Sequence, residues 1–334
     1  MTVIRAVEDP HLSARLIQRW PLVYDAGPDP ALDRPAHVRA GSALVRVGDE
    51  LVVVQDDTSF LAVVHPATRA VRAIPLPAGP GGLRQFDKTR GNKMHKLDLE
   101  AAVPWRDGLL AFGSGSAPGR DRIALAPSLE AEVTLVDAGP LYAALAACRE
   151  FAGPSLNIEG AVRVGPDTLR LVNRGNGAPV AGEVPVDAAV DLSWSALLAW
   201  LQDPHTPPPP LGRVRRYALG RLGEVRLSFT DATASPADPL FLAAAEDSPD
   251  AVEDGPVVGV AVGVLGGDGA RWTRLRDLDG RDLTDKAEGL CLDPIDPYRA
   301  WAVFDLDDPS RPTEIAEVHL EGRWFEAAAQ ARSN

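Results

Sequence analysis

The chain has 334 residues, of which 45% are hydrophobic and 24% charged, and its formal net charge is −13 at pH 7. This acidic excess excludes an extended phosphate-binding surface, so nucleic acid is not an expected partner, while the length is ample for a large hydrophobic core. The two cysteines, Cys148 and Cys291, lack the short spacing of a zinc site, and we expect two buried thiols rather than a disulfide.

The N-terminal segment, residues 1–20, is not expected to be a secretory signal peptide. It carries Glu8 and Asp9 early and lacks the continuous apolar core of a secretory signal peptide. No apolar run in the chain approaches the roughly 18 residues of a membrane span. The sequence therefore predicts a cytoplasmic protein with no membrane partner.

Short β-strands joined by turns are predicted from residue 43 onward. Apolar runs at 43–57, 60–65 and 70–76 predict a meander of four short strands, with a strong hairpin-turn signal at Gly48–Asp49. Later segments repeat this order: a polar residue, an apolar strand, a turn, and a second apolar strand that ends in a polar cluster. These segments are 99–116, 158–177, 230–248 and 287–308.

Two helix-like segments interrupt the β-rich pattern. One lies near residues 140–151, and the other, at 191–202, is followed by the proline tract 207–210. Because proline cannot continue a helix, the second segment is expected to end before this tract. Both segments are predicted to be short helical insertions on a repeated β framework.

The polar residues that open the repeats are regularly spaced. The intervals are 58, 59, 72 and 57 residues, and the residues are Ser42, Glu100, Glu159, Asp231 and Glu288. A period near 58 residues with four strands in each unit is typical of a propeller blade, which buries its faces only against neighbouring blades. We predict an all-β propeller with five detectable four-stranded repeats and five or six blades; a pair of β-sandwiches is the alternative.

A single ring of blades implies one domain over residues 1–334, without a linker. The segment 1–40 is expected to close this ring, either by pairing beside residues 314–320 in the last blade or by helping to build a sixth blade.

Acidic and polar side chains are expected to converge at one mouth of the central channel. The first strand of each blade lines the channel of a propeller, and alternate residues of a strand face the same way. This alternation pairs Asp98 with Glu100, Asn157 with Glu159, and Lys286 with Glu288. The polar ends of the second strands are expected on the same face, and they include Asp56, Ser114–Ser116, Asn173–Asn176, Glu246 and Asp305.

Converging carboxylates repel one another, and protons, basic partners or a metal ion must neutralise them. Calcium suits carboxylate and amide oxygens, and the expected ligands are Glu100, Glu159, Asp231, Glu288 and Asn157. The alternatives are an ion-pair network with Lys96, Lys286 and Arg174, or acids that cap turns and hold the blades in register. No nucleotide or organic cofactor is expected, because the chain contains neither a P-loop nor a dinucleotide fingerprint.

The one strongly basic region is the loop at residues 84–98. It is predicted to be either a solvated loop or a lid that brings positive charge over the acidic mouth and grips an anionic substrate. His95, within this loop, is a candidate general base.

Several short segments resemble the sequences of an uncharacterised bacterial family of predicted β-propellers, and the resemblance extends over about residues 40–320. The segments are LNIEGAV with LRLVNRGNG, LLAFGSGS, FTDA with AAAEDS and EDGPVVG, and KAEGL. The strand openings with Glu and Gly are more distantly similar to those of phytase-like esterase propellers and of gluconolactonase and paraoxonase propellers. In the latter group such a glutamate is a calcium ligand, and the resemblance implies this role for Glu159 and Glu288.

Two functions are therefore predicted. The first is a metal-assisted, calcium-type hydrolase that acts on a small anionic ester, lactone or phosphoester at the channel mouth, where the ion polarises the substrate oxygen. In this hydrolase, Asp98 or His95 accepts the proton, and the substrate charge is neutralised by Arg174, Lys96 and Lys286. The alternative is a non-catalytic propeller that binds a ligand or a protein on the same face, with its acids paired to bases.

Overall fold

The apolar runs of the sequence form antiparallel strands in the computed structural model, which describes residues 2–179, 181–248, 255–267 and 269–325. The strands fall into five four-stranded sheets, or blades, arranged around one axis. Within each of the first four blades, consecutive strands pair with one another, so the sequence order is also the order from the axis outward.

The strands are numbered in chain order. Two strands precede the first complete blade: β1 (Val3–Glu8) and β2 (Leu12–Pro21). The first blade contains β3 (Gly41–Val47), β4 (Glu50–Gln55), β5 (Phe60–Val64) and β6 (Val71–Pro75). The second blade contains β7 (Leu99–Trp105), β8 (Gly108–Gly113), β9 (Arg122–Ala126) and β10 (Thr134–Asp137). The third blade contains β11 (Ile158–Arg163), β12 (Thr168–Asn173), β13 (Asp187–Ser193) and β14 (Val214–Ala218).

The remaining two blades complete the circle. A two-residue strand, β15 (Arg221–Leu222), precedes the fourth blade, which contains β16 (Val225–Thr233), β17 (Leu240–Glu246), β18 (Val257–Leu265) and β19 (Ala270–Arg276). The fifth blade contains β20 (Lys286–Leu292), β21 (Arg299–Asp305) and β22 (Glu314–Gly322). The innermost strands β3, β7, β11, β16 and β20 contact one another in this order, and β20 also contacts β3. The predicted all-β propeller is confirmed, and it has five blades.

The N-terminal strands pair with the outer strands of the last three blades. Strand β2 pairs antiparallel with β22, with Leu12 opposite Gly322, and is the outermost strand of the fifth blade. Strand β1 runs parallel to β14 in the third blade and to β19 in the fourth blade. The segment of residues 3–21 thus crosses the outer edges of three blades and joins the two ends of the chain by main-chain hydrogen bonds.

The hydrophobic core is divided among the five interfaces between neighbouring blades. Each of five clusters of buried side chains takes its members from two adjacent blades, and the last cluster joins the fifth blade to the first. In that last cluster Trp20 and Trp301 meet edge to face, with ring centroids 5.7 Å apart. Because every blade buries both faces on its neighbours, no blade has a complete core of its own.

Both predicted helical insertions fill the interface between the second and third blades. They form α1 (Gly139–Ala147) with α2 (Arg149–Ala152), and α3 (Trp194–Trp200). Their apolar side chains, including Leu145 and Leu197, are fully buried in the cluster of this interface. Short 3₁₀ turns lie at Pro30–Leu32, Pro80–Gly82 and Lys93–His95. Within the described part of the chain, no helix is long and apolar enough to cross a membrane.

Each innermost strand contains a β-bulge at the same position. The extra, unpaired residues lie 58, 59, 71 and 58 positions apart, and they are Ser42, Glu100, Glu159, Thr230 and Glu288. The assignment of Asp231 to this repeat was therefore wrong by one residue, because Thr230 occupies the equivalent position. A bulge turns a side chain out of the regular alternation of a strand, which explains how one residue in each blade is redirected.

The glycines after two of the bulges allow neighbouring blades to approach closely. A Cβ atom on Gly160 would lie 2.7 Å from the backbone nitrogen of Ala232, and one on Gly289 would lie 2.5 Å from that of Leu44. These distances are too short for a side chain, so the glycines serve blade packing.

Candidate functional site

A polar cavity of about 390 Å³ opens at one mouth of the central channel. The bulge residues Ser42, Glu100, Glu159 and Glu288 line it, together with residues at or just after the ends of the second strands, among them Asp56, Arg174 and Asp305. The two sets of polar residues that the repeat pattern placed on one face therefore meet here. Eight of the ten predicted site residues line this cavity: Lys96, Asp98, Glu100, Asn157, Glu159, Arg174, Lys286 and Glu288.

One side of the cavity is organised around the ammonium group of Lys96. Its Nζ lies 2.6 Å from both carboxylate oxygens of Asp56 and 2.5 Å from Oδ1 of Asp98. The other oxygen of Asp98 lies 2.9 Å from Nη1 of Arg120 and accepts a hydrogen bond from the Ser114 hydroxyl. Lys96 and Asp98 are buried, so these contacts form a desolvated ion-pair network.

The other side of the cavity is organised around Arg174 and Lys286. The guanidinium of Arg174 contacts Glu159 Oε1 at 3.3 Å and Glu246 Oε2 at 2.7 Å. The ammonium of Lys286 lies 2.7 Å from Glu288 Oε1 and 3.5 Å from Glu246 Oε2. Glu246, at the end of β17, thus joins the two bases, and Asn157 donates from Nδ2 to Glu159 Oε1 at 2.7 Å.

We call these groups together the mouth cluster. Among the described residues it contains seven carboxyl groups, Asp56, Asp98, Glu100, Glu159, Glu246, Glu288 and Asp305, and four bases, Lys96, Arg120, Arg174 and Lys286. With every group ionised, the acids exceed the bases by three charges. Burying such an excess is unfavourable unless protons or another cation balance it.

Glu288 and Glu100 are among the members of the mouth cluster that retain unused oxygens. Glu288 is only 3% exposed, and its Oε2 has no hydrogen-bond partner in the described structure. Glu100 is half-buried, and no ion pair joins it to a base among the described residues. A buried carboxylate oxygen without a partner is costly, so the Oε2 of Glu288 marks where a donor or a cation would be stabilised, and Glu100 offers a second carboxylate that lines the same cavity.

Burial raises the pKa of several acids of the mouth cluster. It raises the pKa of Asp56 to about 7 and that of Glu288 to about 8, although Lys96 and Lys286 oppose these shifts. Burial likewise raises the pKa of Glu159 and of Asp305 to about 7. The pKa of Glu100 is raised well above its usual range by burial and by the charges of Asp56 and Glu159. The pKa values of Asp56, Glu159, Glu288 and Asp305 allow these four groups to exchange protons near neutral pH.

Two acids are instead held ionised by their bases. Burial alone would raise the pKa of Asp98, but the charges of Lys96 and Arg120 lower it below the usual range. Burial also opposes ionisation of Glu246, yet Arg174 and Lys286 lower its pKa to about 2. Both carboxylates act as fixed partners of the bases.

Two predicted site residues lie away from the cavity. Asp231 is buried between the fourth and fifth blades, where its carboxylate accepts hydrogen bonds from the backbone nitrogens of Ala232 and Leu290, each at 2.7 Å. His95 is exposed on the basic loop and does not line the cavity. Asp231 is therefore not placed as a metal ligand, and His95 is not placed as a general base, because neither side chain lines the cavity.

The bulge hydroxyls tie neighbouring blades together. The Ser42 Oγ donates to the carbonyl oxygen of Leu99 at 2.5 Å, and the Thr230 Oγ1 donates to that of Ala287 at 2.6 Å. In each case the accepting carbonyl directly precedes the bulge residue of the next blade. Hydroxyl bulges thus hold the blades in register, while the three glutamate bulges face the channel.

The basic loop forms part of the cavity rim. Lys88, Thr89 and Lys93 line the cavity from this loop. The loop is fixed by Asn92, whose Nδ2 donates to the Gln85 carbonyl at 2.9 Å and whose Oδ1 accepts from the backbone nitrogen of Asp87 at 3.0 Å. Another part of the rim is acidic and contains Asp307 and Asp308, from the loop between β21 and β22.

Sequence reasoning named Asp56, Glu246 and Asp305 only as polar strand ends and did not assign them to the site. The order of strands within a blade could have assigned them to the site, because the second strand of each blade ends on the face where the first strand begins. Arg120 carries no such signal, because it lies in the loop between β8 and β9. Its contact with Asp98 and its place in the cavity lining identify it.

The predicted five-residue calcium shell is not assembled around one point. Single oxygens of Asp56, Asp98 and Glu100 lie within 4.8 Å of one another, but the Lys96 ammonium already contacts the first two. Calcium prefers six to eight oxygen ligands, and a nearby ammonium disfavours it. Carboxylate oxygens of the cluster without a hydrogen-bond partner in the described structure belong to Glu100, to Glu159 Oε2, to Asp305 Oδ2 and to Glu288 Oε2, and the last of these is buried.

Comparison with known proteins finds no match among curated proteins. Among solved structures, the chain is similar to U3-55K, with 11% identity and a TM-score of 0.40 over 87% of this chain and 99% of that one. It is similar to the WD40 repeats of RRP9, with 10% identity and a TM-score of 0.40 over 95% of this chain and 100% of that one. Regucalcin from Agrobacterium tumefaciens, a calcium-binding protein, is 12% identical with a TM-score of 0.41 over 94% of this chain and 97% of its own.

Similarity at these sequence identities and TM-scores does not indicate a function for this chain. The model of a family of unknown function, DUF6929, matches residues 37–320, and the chain therefore belongs to this family.

Proposed function

We propose that the protein binds a small cation at the mouth of its central channel. The observation that carries this proposal is the buried Oε2 of Glu288, which has no partner although it lies in a cluster with three more acids than bases. A bound cation supplies the missing partner and reduces the excess negative charge. It replaces protons that would otherwise occupy the carboxyl groups.

The proposed cation is an ammonium group or a divalent metal ion. Both satisfy carboxylate oxygens, and a cavity of about 390 Å³ accommodates either a hydrated ion or a small organic molecule. Glu100 and Glu288 would hold the cation, since Lys96 already occupies the position between Asp56 and Asp98. Calcium is the metal ion that such an oxygen-only donor set would take.

Isothermal titration calorimetry with calcium chloride and, separately, with ethanolammonium chloride tests this proposal. We expect at least one of the two cations to bind, and we expect Glu288→Gln to weaken binding about tenfold or more. Glu130→Gln, which removes a carboxyl group that is 85% exposed, is the matched control and should leave binding unchanged. Absence of binding for both cations, or equal binding by the Glu288→Gln variant, would refute the proposal.

A second candidate function is hydrolysis of a small anionic ester, lactone or phosphoester, and the pKa values of the mouth cluster favour it. Asp56 and Glu159 line the cavity with pKa values raised to about 7 by burial, in the range of a general base at neutral pH. They are better proton acceptors than Asp98, which Lys96 and Arg120 hold ionised. A calcium ion at Glu100 and Glu288 would polarise the substrate oxygen.

Turnover of chromogenic esters, lactones and phosphoesters, with calcium and with a chelator, tests the hydrolase proposal. The double variant Asp56→Asn/Glu159→Gln is expected to lower the rate at least about 100-fold, because it removes both candidate proton acceptors while keeping the shapes of the two side chains. If no substrate of the panel is turned over while a cation binds, the protein is a non-catalytic binding propeller.

A further inference from the structure

The rim of the cavity carries charges of both signs in different sectors. Lys88 and Lys93 line it from the basic loop between the first and second blades, whereas Asp307 and Asp308 line it from the fifth blade. Neither lysine forms an ion pair among the described residues, although Lys96, in the same loop, contacts two carboxylates. Two ammonium groups at the rim are therefore available to an anionic group of a ligand.

The backbone that carries these lysines is fixed. Asp87 contacts Nη2 of Arg39 at 3.1 Å, and Arg90 contacts Asp33 at 3.0 Å. Lys93 begins a 3₁₀ turn that follows the buried Asn92. Because contacts on both sides of each lysine fix the loop backbone, the lysines start from defined positions. This lowers the entropy cost of binding a ligand.

We propose that the ligand is bipolar, a small molecule with an ammonium group at one end and a carboxylate or phosphate at the other. This inference rests on the proposed cation site. The cationic end lies against Glu100 and the unpartnered Oε2 of Glu288, and the anionic end lies against Lys88 and Lys93.

A bipolar ligand is the one class that matches both charged regions of the cavity. A simple anion entering the mouth meets the acid excess of the mouth cluster, and a simple cation leaves the two rim lysines without a partner. The cavity volume of about 390 Å³ accepts a molecule of amino-acid size that extends from the cluster to the rim. Complementary charges at two points also fix the orientation of the ligand.

Calorimetric titration at neutral pH and low salt with five probes tests the proposal. β-Alanine and 2-aminoethyl phosphate are the bipolar probes with a carboxylate and a phosphate, ethanolammonium carries only the cation, and acetate and inorganic phosphate carry only the anion. We expect a bipolar probe to bind about tenfold tighter than ethanolammonium, and the stronger of the two identifies the anionic group. The simple anions should bind weakly or not at all.

The double variant Lys88→Gln/Lys93→Gln should lower the affinity of the bipolar probe about tenfold, to that of ethanolammonium, and leave ethanolammonium binding unchanged. The control Arg5→Gln/Arg15→Gln removes the same charge from exposed positions on the N-terminal strands and should change neither affinity. Circular dichroism and Tm confirm that all variants are folded.

The outcomes separate this inference from the cation site on which it rests. If ethanolammonium binds as tightly as both bipolar probes, the cation site stands and the bipolar ligand is refuted. If no probe with an ammonium group binds, and calcium does not bind either, both proposals fail. If the lysine variants weaken ethanolammonium as much as the bipolar probes, the lysines have no specific role in binding an anionic group.

Discussion

Replacing Glu288 by Gln should change how the stability of the protein depends on pH. Burial, together with the charge of Glu159, raises the pKa of Glu288 to about 8 against the opposing charge of Lys286, whereas the usual value is 4.5. Glutamine keeps the shape of the side chain and an oxygen for Lys286 but cannot titrate. The variant therefore isolates the proton that Glu288 retains in the folded state.

The sign and the magnitude follow from proton linkage. Between the unfolded pKa of 4.5 and the folded pKa of about 8, the folded protein binds one more proton than the unfolded chain, so its stability falls as the pH rises. One proton corresponds to about 1.4 kcal/mol for each pH unit, or about 3 kcal/mol from pH 5 to pH 7. Because Glu159 shares the proton, we expect about 2 kcal/mol.

Urea unfolding followed by tryptophan fluorescence at pH 5, 6, 7 and 8 measures this difference. The free energy of unfolding of the native protein should fall by about 2 kcal/mol more between pH 5 and pH 7 than that of Glu288→Gln. The exposed control Glu130→Gln should follow the native protein at every pH. Parallel curves for the native protein and Glu288→Gln would show that Glu288 is ionised throughout and would refute the reasoning.

Three further predictions concern residues that stabilise the fold and the mouth cluster. Asp231→Asn should lower the free energy of unfolding in urea by about 2 kcal/mol, because one backbone amide loses its acceptor. The same variant should leave calcium titrations unchanged, and a loss of calcium binding would show that Asp231 is a ligand. In β2, Leu16→Ala should cost about 3 kcal/mol in the same assay, and Ile17→Ala, on the exposed face, less than about 1 kcal/mol; equal costs would contradict the packing of this strand. Lys96→Met should lower Tm, because two buried carboxylates lose their ammonium partner. Calcium should raise the Tm of this variant more than that of the native protein, since the ion can take the place of the ammonium between Asp56 and Asp98. A variant whose Tm does not respond to calcium would contradict this replacement.

Much of the fold could be predicted from local pattern. The strand runs with a turn at Gly48, the period near 58 residues and the two helical segments indicated a ring of four-stranded blades. The glutamates Glu100, Glu159 and Glu288 recur at one point of that period, and all three line the cavity. A sequence repeat identifies residues at equivalent positions of the blades even when the distances between their side chains are unknown.

The fourth repeat shows where this reasoning stopped. Thr230 and Asp231 are adjacent polar residues, and a shift of one position moves a side chain to the other face of a strand. Only the pairing of β16 with β17, in which Thr230 is the bulge residue, decides between them. Asp231 consequently bonds to the backbone of the fifth blade rather than facing the channel.

The partners of the charged groups were also beyond the reach of local pattern. Lys96 and Asp56 are 40 residues apart, and Arg174 and Glu246 are 72 apart. The chain pattern establishes that the acids converge and that an excess of negative charge must be balanced. Which base contacts which acid, and which oxygen of Glu288 is left without a partner, is decided by separations of 2.5–3.5 Å between blades, because electrostatic and hydrogen-bond energies depend on that final distance.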